Sequence, residues 1–148
     1  MLRKPLVVLA VLMFGVTAAA AQSCQDPINT RQTLMKKSGS MARIGSSMVK
    51  GETPFDLEKT KEIFAAFAED AKAMPDLFPD CSKTGDNTTA ADAIWNERDD
   101  FKAAIAKFAS DVKTGQDTTK DLDTFKASFQ NIGKDCGGCH QTFRVKKS

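Results

Sequence analysis

The sequence predicts an all-α protein, an antiparallel up-down-up-down four-helix bundle, and three observations carry that expectation. The composition is helix chemistry: Ala, Lys, Asp and Phe are abundant, Tyr is absent, and Val and Ile are sparse. Apolar residues recur at steps of three and four along four segments. Turn signals separate those segments and leave mainly short connections, which favour antiparallel neighbours.

A different kind of segment precedes the bundle. Arg3 and Lys4 form a basic head, Leu6 to Val16 is an unbroken apolar run, and Ala18-Ala19-Ala20-Ala21 ends it with small residues. This pattern reads as a secretory signal cut after Ala21, so residues 1–21 are a signal peptide and residues 22–148 one four-helix domain, exported to the periplasm. A membrane anchor is the competing reading, but the apolar run is roughly half the ~20 residues that span hydrocarbon. Acylation at Cys24 would follow Ala-Gln-Ser, a poor match to a lipoprotein signal. Without residues 1–21, the 148-residue chain keeps 127 residues, with 19 basic and 19 acidic side chains. That is the size of one domain, and its balanced, interspersed charge argues against nucleic acid or a membrane surface as partner.

The first helix is expected from about Pro27 to Val49, with Asp26 as N-cap and Pro27 in the first turn. Ile28, Leu34, Met35, Met41, Ile44 and Met48 mark its apolar side, and Gly51-Glu52-Thr53-Pro54 ends it. The second is expected from about Asp56 to Met74, with Leu57, Ile63, Phe64, Phe67 and Ala71 inward, stopped by Pro75 and Pro79. A polar loop runs to Thr89. The third is expected from about Ala90 to Lys113, closed by Gly115, with Ile94, Phe101, Ile105, Phe108 and Val112 inward. The fourth begins near Thr118, and Leu122, Phe125, Phe129, Ile132, Cys136, Cys139 and Phe143 form a heptad-like seam.

Two cysteines of that seam carry the chemistry. Cys136-Gly137-Gly138-Cys139-His140 has the C-x-x-C-H form of a covalent haem attachment site. The thiols would add to the two haem vinyl groups and the imidazole would be the proximal iron ligand. On a helix all three side chains share one face, and the glycines would keep bulk low where the macrocycle lies close. A thioredoxin-type pair would need a βαβ setting that is missing, and a zinc site lacks a fourth ligand because His140 is the only histidine. The expected cofactor is one covalently attached haem c, near one pole of the bundle.

With no second histidine, a methionine is the candidate for the other face of iron. His140 lies about 10 Å from the end of its helix and Met35 about 12 Å from the start of its own, at ~1.5 Å per residue. Those two ends share a pole, so the residues are level, whereas Met41 and Met48 lie roughly 9 and 20 Å deeper. Met35 either ligates iron or packs over an open iron face. The remaining cysteines, Cys24 before the first helix and Cys81 after the second, also meet at that pole, and an oxidising compartment predicts a Cys24–Cys81 disulfide.

Placed on these helices, several stretches resemble the cytochrome c′ family, including its low-spin cytochrome c-556 branch. They are Arg31-Gln32-Thr33-Leu34-Met35-Lys36, Gly51-Glu52-Thr53-Pro54-Phe55-Asp56, Leu77-Phe78-Pro79, Ile94-Trp95, and the haem motif followed by Gln141-Thr142-Phe143-Arg144. The resemblance implies a four-helix bundle, His140 proximal, a distal position at Met35, and Arg31 and Gln32 beside a haem propionate. Arg31 and Met35, four apart, share a helix face, and a guanidinium suits a carboxylate. Some family members are five-coordinate and bind small gases; others carry electrons. The expected function is therefore a periplasmic mono-haem electron carrier working with redox partner proteins, and the alternative is a five-coordinate protein binding NO or CO. No catalytic acid–base or nucleophile constellation is visible, so no enzyme is expected, and a homodimer rests on the resemblance alone.

Overall fold

The structure, a computed structural model, describes residues 16–145, with side chains from Cys24 onward, so most of the expected signal peptide lies outside the described residues. Four long helices form the frame: α1 (Val16–Val49), α2 (Leu57–Ala73), α4 (Arg98–Thr118) and α5 (Leu122–Phe143). A single-turn helix, α3 (Ala93–Asn96), precedes α4. Contacts run in a ring, α1 with α2 and α5, α4 with α2 and α5. This is the expected bundle.

Local chemistry explains each boundary, including those that differ from expectation. α1 starts earlier than predicted and carries Pro27 in its interior, so Asp26 is not its cap. The helix continues through Pro27, which removes one backbone bond from it. Gly51, with φ 76°, turns the chain after α1. α2 begins where the Asp56 carboxylate accepts from the Lys59 N–H at 3.0 Å. The expected third helix is broken at Glu97 (φ −122°, ψ 51°) into α3 and α4, because Ile94 and Trp95 are buried beside the pole rather than along the α4 axis. α5 starts at Leu122, not Thr118, since Asp121 and Thr124 satisfy each other's backbone N–H groups in a capping box.

Gly115 does not close a helix; it lies buried inside α4. A Cβ there would come within 2.9 Å of the Phe64 ring. Gly45 plays the same part between α1 and α5, where a Cβ would sit 2.5 Å from Phe129. These glycines set how closely the helices approach. Ile44, expected inside, is 38% exposed, one residue off that contact line.

The interior divides into two clusters. The larger centres on Met48, Ile63, Phe64, Phe67, Val112, Phe125 and Ile132. A second, at the pole, contains Phe78, Ile94, Trp95, Phe101, Ile105 and Phe143. Its rings meet edge to face, with Phe78–Phe101 at 4.9 Å and Phe101–Phe143 at 5.1 Å between centroids. The indole N–H of Trp95 donates to the Phe78 carbonyl at 3.1 Å. A one-residue antiparallel bridge, Ala90 with Arg144, ties the end of α5 back to this pole.

The segment between α2 and α3 is stitched to α1. Cys24 and Cys81 form a disulfide, as expected, with Cα atoms 5.5 Å apart. Gln25 accepts from the Asp86 N–H at 3.1 Å and Gln32 donates to the Asn87 carbonyl at 2.9 Å.

Replacing both Cys24 and Cys81 by Ser, which opens a link across 57 residues of sequence, should lower stability by about 4 kcal/mol in chain-entropy terms. Chemical denaturation of oxidised wild type and the double variant measures it. Gly45→Val and Gly115→Val should each cost about 1–3 kcal/mol through overpacking. Gly133→Ala, where nothing lies within 4 Å, should instead add about 1 kcal/mol through helix propensity. Equal effects at all three would contradict the close approaches.

Candidate functional site

The site is built on the last two turns of α5. Cys136 and Cys139, one turn apart, are half-buried and unpaired, while the other two cysteines are bonded to each other. Cys136 packs against the larger cluster and Cys139 against the aromatic one, so the pair straddles the junction of the two cores. His140 follows on the same face with its edge exposed. Gly137 and Gly138 are also exposed, and a Cβ on either would meet open space. At ~100° per residue Gly138 lies nearly opposite the Cys136–Cys139–His140 face, so its missing side chain is not on the side where a macrocycle would lie.

The electrostatics suit uncharged groups. Burial first, then the charge of Asp135, pushes the Cys136 thiol up to about 11. Burial also raises Cys139. Protein packed around part of the His140 ring, then the Arg144 guanidinium, lowers its pKa. The shift favours the neutral imidazole, the form that ligates a metal.

The contact of Gly45 with Phe129 gives a common ruler for α1 and α5. Met35 lies ten residues toward the pole on α1 and His140 eleven on α5, or about 15 and 16 Å along antiparallel axes. Met35 is thus level with His140, half-buried, and part of neither core cluster. Ser38 and Cys136, each seven residues along, share a level beneath them.

Arg31 is buried, 5% exposed. One terminal nitrogen donates to the Leu77 carbonyl at 2.8 Å and to Ser82 Oγ at 2.9 Å. The other donates to the Ser82 carbonyl at 3.1 Å and Thr88 Oγ1 at 2.8 Å. The guanidinium stacks 4.5 Å above the Phe78 ring. Only its Nε–H remains for a propionate, and no carboxylate pairs with it among the described residues. Gln32, the other residue expected there, is bound to Asn87.

Sequence reasoning missed two buried carboxyls. Asp70 of α2 is 1% exposed; its Oδ2 accepts from the Ser38 hydroxyl of α1, and its Oδ1 has no partner. Asp135, with its side chain 6% exposed, pairs with Lys107 of α4 and leaves its Oδ2 without a partner. The signal for Asp70 was present, since it follows Ile63 by seven and Phe67 by three and so sits on the inward face of α2.

A family model described as cytochrome c′ matches residues 26–144. The chain belongs to the cytochrome c′ family. It is 38% identical over 151 aligned residues to cytochrome c-556 of Rhodopseudomonas palustris, covering 99% of each chain. Its structure is similar to that of R. palustris cytochrome c′ (TM-score 0.79, 37% identity, 83% of this chain and 98% of that one). It is also similar to a structure of oxidised R. palustris cytochrome c556 (TM-score 0.75, 38% identity, 84% and 99%). Cys24 falls just outside the cytochrome c′ match, so the disulfide extends that frame at its N-terminal edge.

Arg31→Ala should cost about 2–3 kcal/mol through its lost charge-assisted hydrogen bonds. Hydrogen exchange should rise selectively over residues 77–88. Unchanged exchange there would show that the loop does not depend on Arg31.

Proposed function

We propose that this cytochrome c′ family member is a periplasmic mono-haem electron carrier, exported by residues 1–21, that passes single electrons between redox partner proteins. Cys136 and Cys139 would hold haem c through thioethers, His140 would be the proximal ligand and Met35 the distal one. When bound, the haem supplies a one-electron Fe(II)/Fe(III) couple.

The observation that carries this reading is the sorting of the cysteines. Two form a staple, and the other two stay unpaired, raised in pKa and on one face with a neutral imidazole. The level of Met35 supports the distal assignment. A thioether favours the reduced metal relative to a second imidazole. Arg31 supports the propionate expectation in one respect, as a buried cation without an anion, which one propionate oxygen at Nε–H would supply. The aromatic cluster packs apolar rings against Cys139 on that side of the site.

A second reading has its own support. Met35 is packed into neither core cluster, as a side chain serving only as a lid over an open iron face would be. The similarity to R. palustris cytochrome c′ also accommodates a five-coordinate protein that binds NO or CO.

Optical spectra of the holoprotein separate the two. The carrier predicts a low-spin ferrous spectrum without rapid CO uptake, converted by Met35→Ala to a high-spin, CO-binding form. A wild type that is already high-spin and binds CO removes Met35 from the ligand set.

A further inference from the structure

Asp70 is the most deeply buried carboxylate in the described part of the chain, and nothing in the bundle's packing accounts for it. It occupies an inward position of α2 whose neighbours along the helix, Phe67 and Ala71, are apolar. Only the Ser38 hydroxyl reaches it, at Oδ2, and Oδ1 is buried without any partner. Ser38 is level with Cys136 and lies one helical turn below Met35. Asp70 therefore sits at the floor of the space bounded by Met35 on α1 and the Cys136–His140 turn on α5. Its charge acts on the Cys136 sulfur, which independently locates it there.

The groups around it compensate its charge only in part. On α1, Lys37 is already paired with Glu69, the residue beside Asp70. On α5, Asp135 adds a second negative charge on the Cys136 side. On α4, Lys107 is engaged by Asp135 and Asp111. Lys72 and Lys113 line the groove between α2 and α4. Burial, followed by the charge of Glu69, holds the Asp70 carboxyl above its ordinary range, against the lowering effect of Ser38 and Lys37.

We propose that Asp70 is a redox-linked proton site: it takes up one proton at Oδ1 when the haem iron is reduced and releases it on oxidation. One electron arrives from the redox partner and one proton from solvent, so the charge of the buried site is the same before and after. Reoxidation returns both. Added negative charge nearby favours the protonated acid, so the proton is bound more tightly in the reduced state. Half-exposed Ser38 offers the path to solvent. This inference rests on the haem reading above, whichever way Met35 is used.

The test is potentiometry of the holoprotein over about pH 4–9, with redox-difference infrared spectroscopy. Wild type should show a window in which the midpoint falls with rising pH, by up to about 59 mV for each tenfold change in proton activity. A protonated-carboxyl band should appear on reduction. Asp70→Asn should keep its haem, lose that segment of the slope and lose the band. Other titrating groups contribute equally to both proteins. Ser38→Ala, which leaves the acid in place and removes the bond that stabilises its anion, should move the window to higher pH. A slope and band unaltered in Asp70→Asn overturn the proposal. Where that variant does not fold, an unmoved window in Ser38→Ala overturns it equally. A wild-type protein that carries no haem after export would instead defeat the haem reading.

Discussion

α1 and α5, from opposite ends of the chain, meet where one of them has no side chain. At Gly45 the Phe129 ring occupies the space a Cβ would need. Because the helices are antiparallel, a contact at one level sets the level of every other pair along them. Met35 faces the height of His140, and Ser38 that of Cys136, only in this register. A slip of one turn, about 5.4 Å, would separate both pairs. The same device recurs between α4 and α2 at Gly115 and Phe64, so two glycines index the four long helices in two pairs.

That register places the two half-buried thiols at the boundary between unlike cores. The larger core contains the fully buried Phe64 and Phe125, each worth about 2–3 kcal/mol of apolar burial. The core at the pole is a set of aromatic rings meeting edge to face, and its outer wall is the 77–88 segment, which has no long helix of its own. Such a wall needs external ties. Arg31 and the Cys24–Cys81 bond supply them from α1, while the Ala90–Arg144 bridge supplies them from α5. The irregular wall is therefore held by the same two helices that carry Met35 and His140.

Much of this was legible in the residues. The seam from Leu122 to Phe143 announced α5, and the C-x-x-C-H run within it identified the site. The meeting of Cys24 with Cys81 followed from antiparallel counting. Helix ends were read less well, for reasons that are physical. Pro27 suggested a first turn, but the helix already runs before it and continues through it. Gly115 looked like a stop because helix propensity alone does not reveal a neighbouring ring. Glu97 breaks a segment whose apolar spacing was continuous, since Trp95 follows the pole and Phe101 follows the bundle. Arg31 read as a propionate partner, and its four bonds to the 77–88 segment depend on a loop path that spacing does not encode.

Buried charge is where stability and function part. Among the described residues no carboxylate pairs with Arg31, and Asp70 and Asp135 each keep an oxygen without a partner. Each of these groups costs folding free energy that an apolar residue of similar size would not. The costs are not scattered: Arg31 lies one turn from Met35 along α1, and both acids act on the Cys136 sulfur. A fold selected only for packing would place such groups outside, as it does with most of its other charged side chains. Their convergence on one end of the bundle is what a site whose own charge changes requires. A lone cation can meet an anionic edge there, and an acid with a vacant oxygen can answer an added electron with a proton.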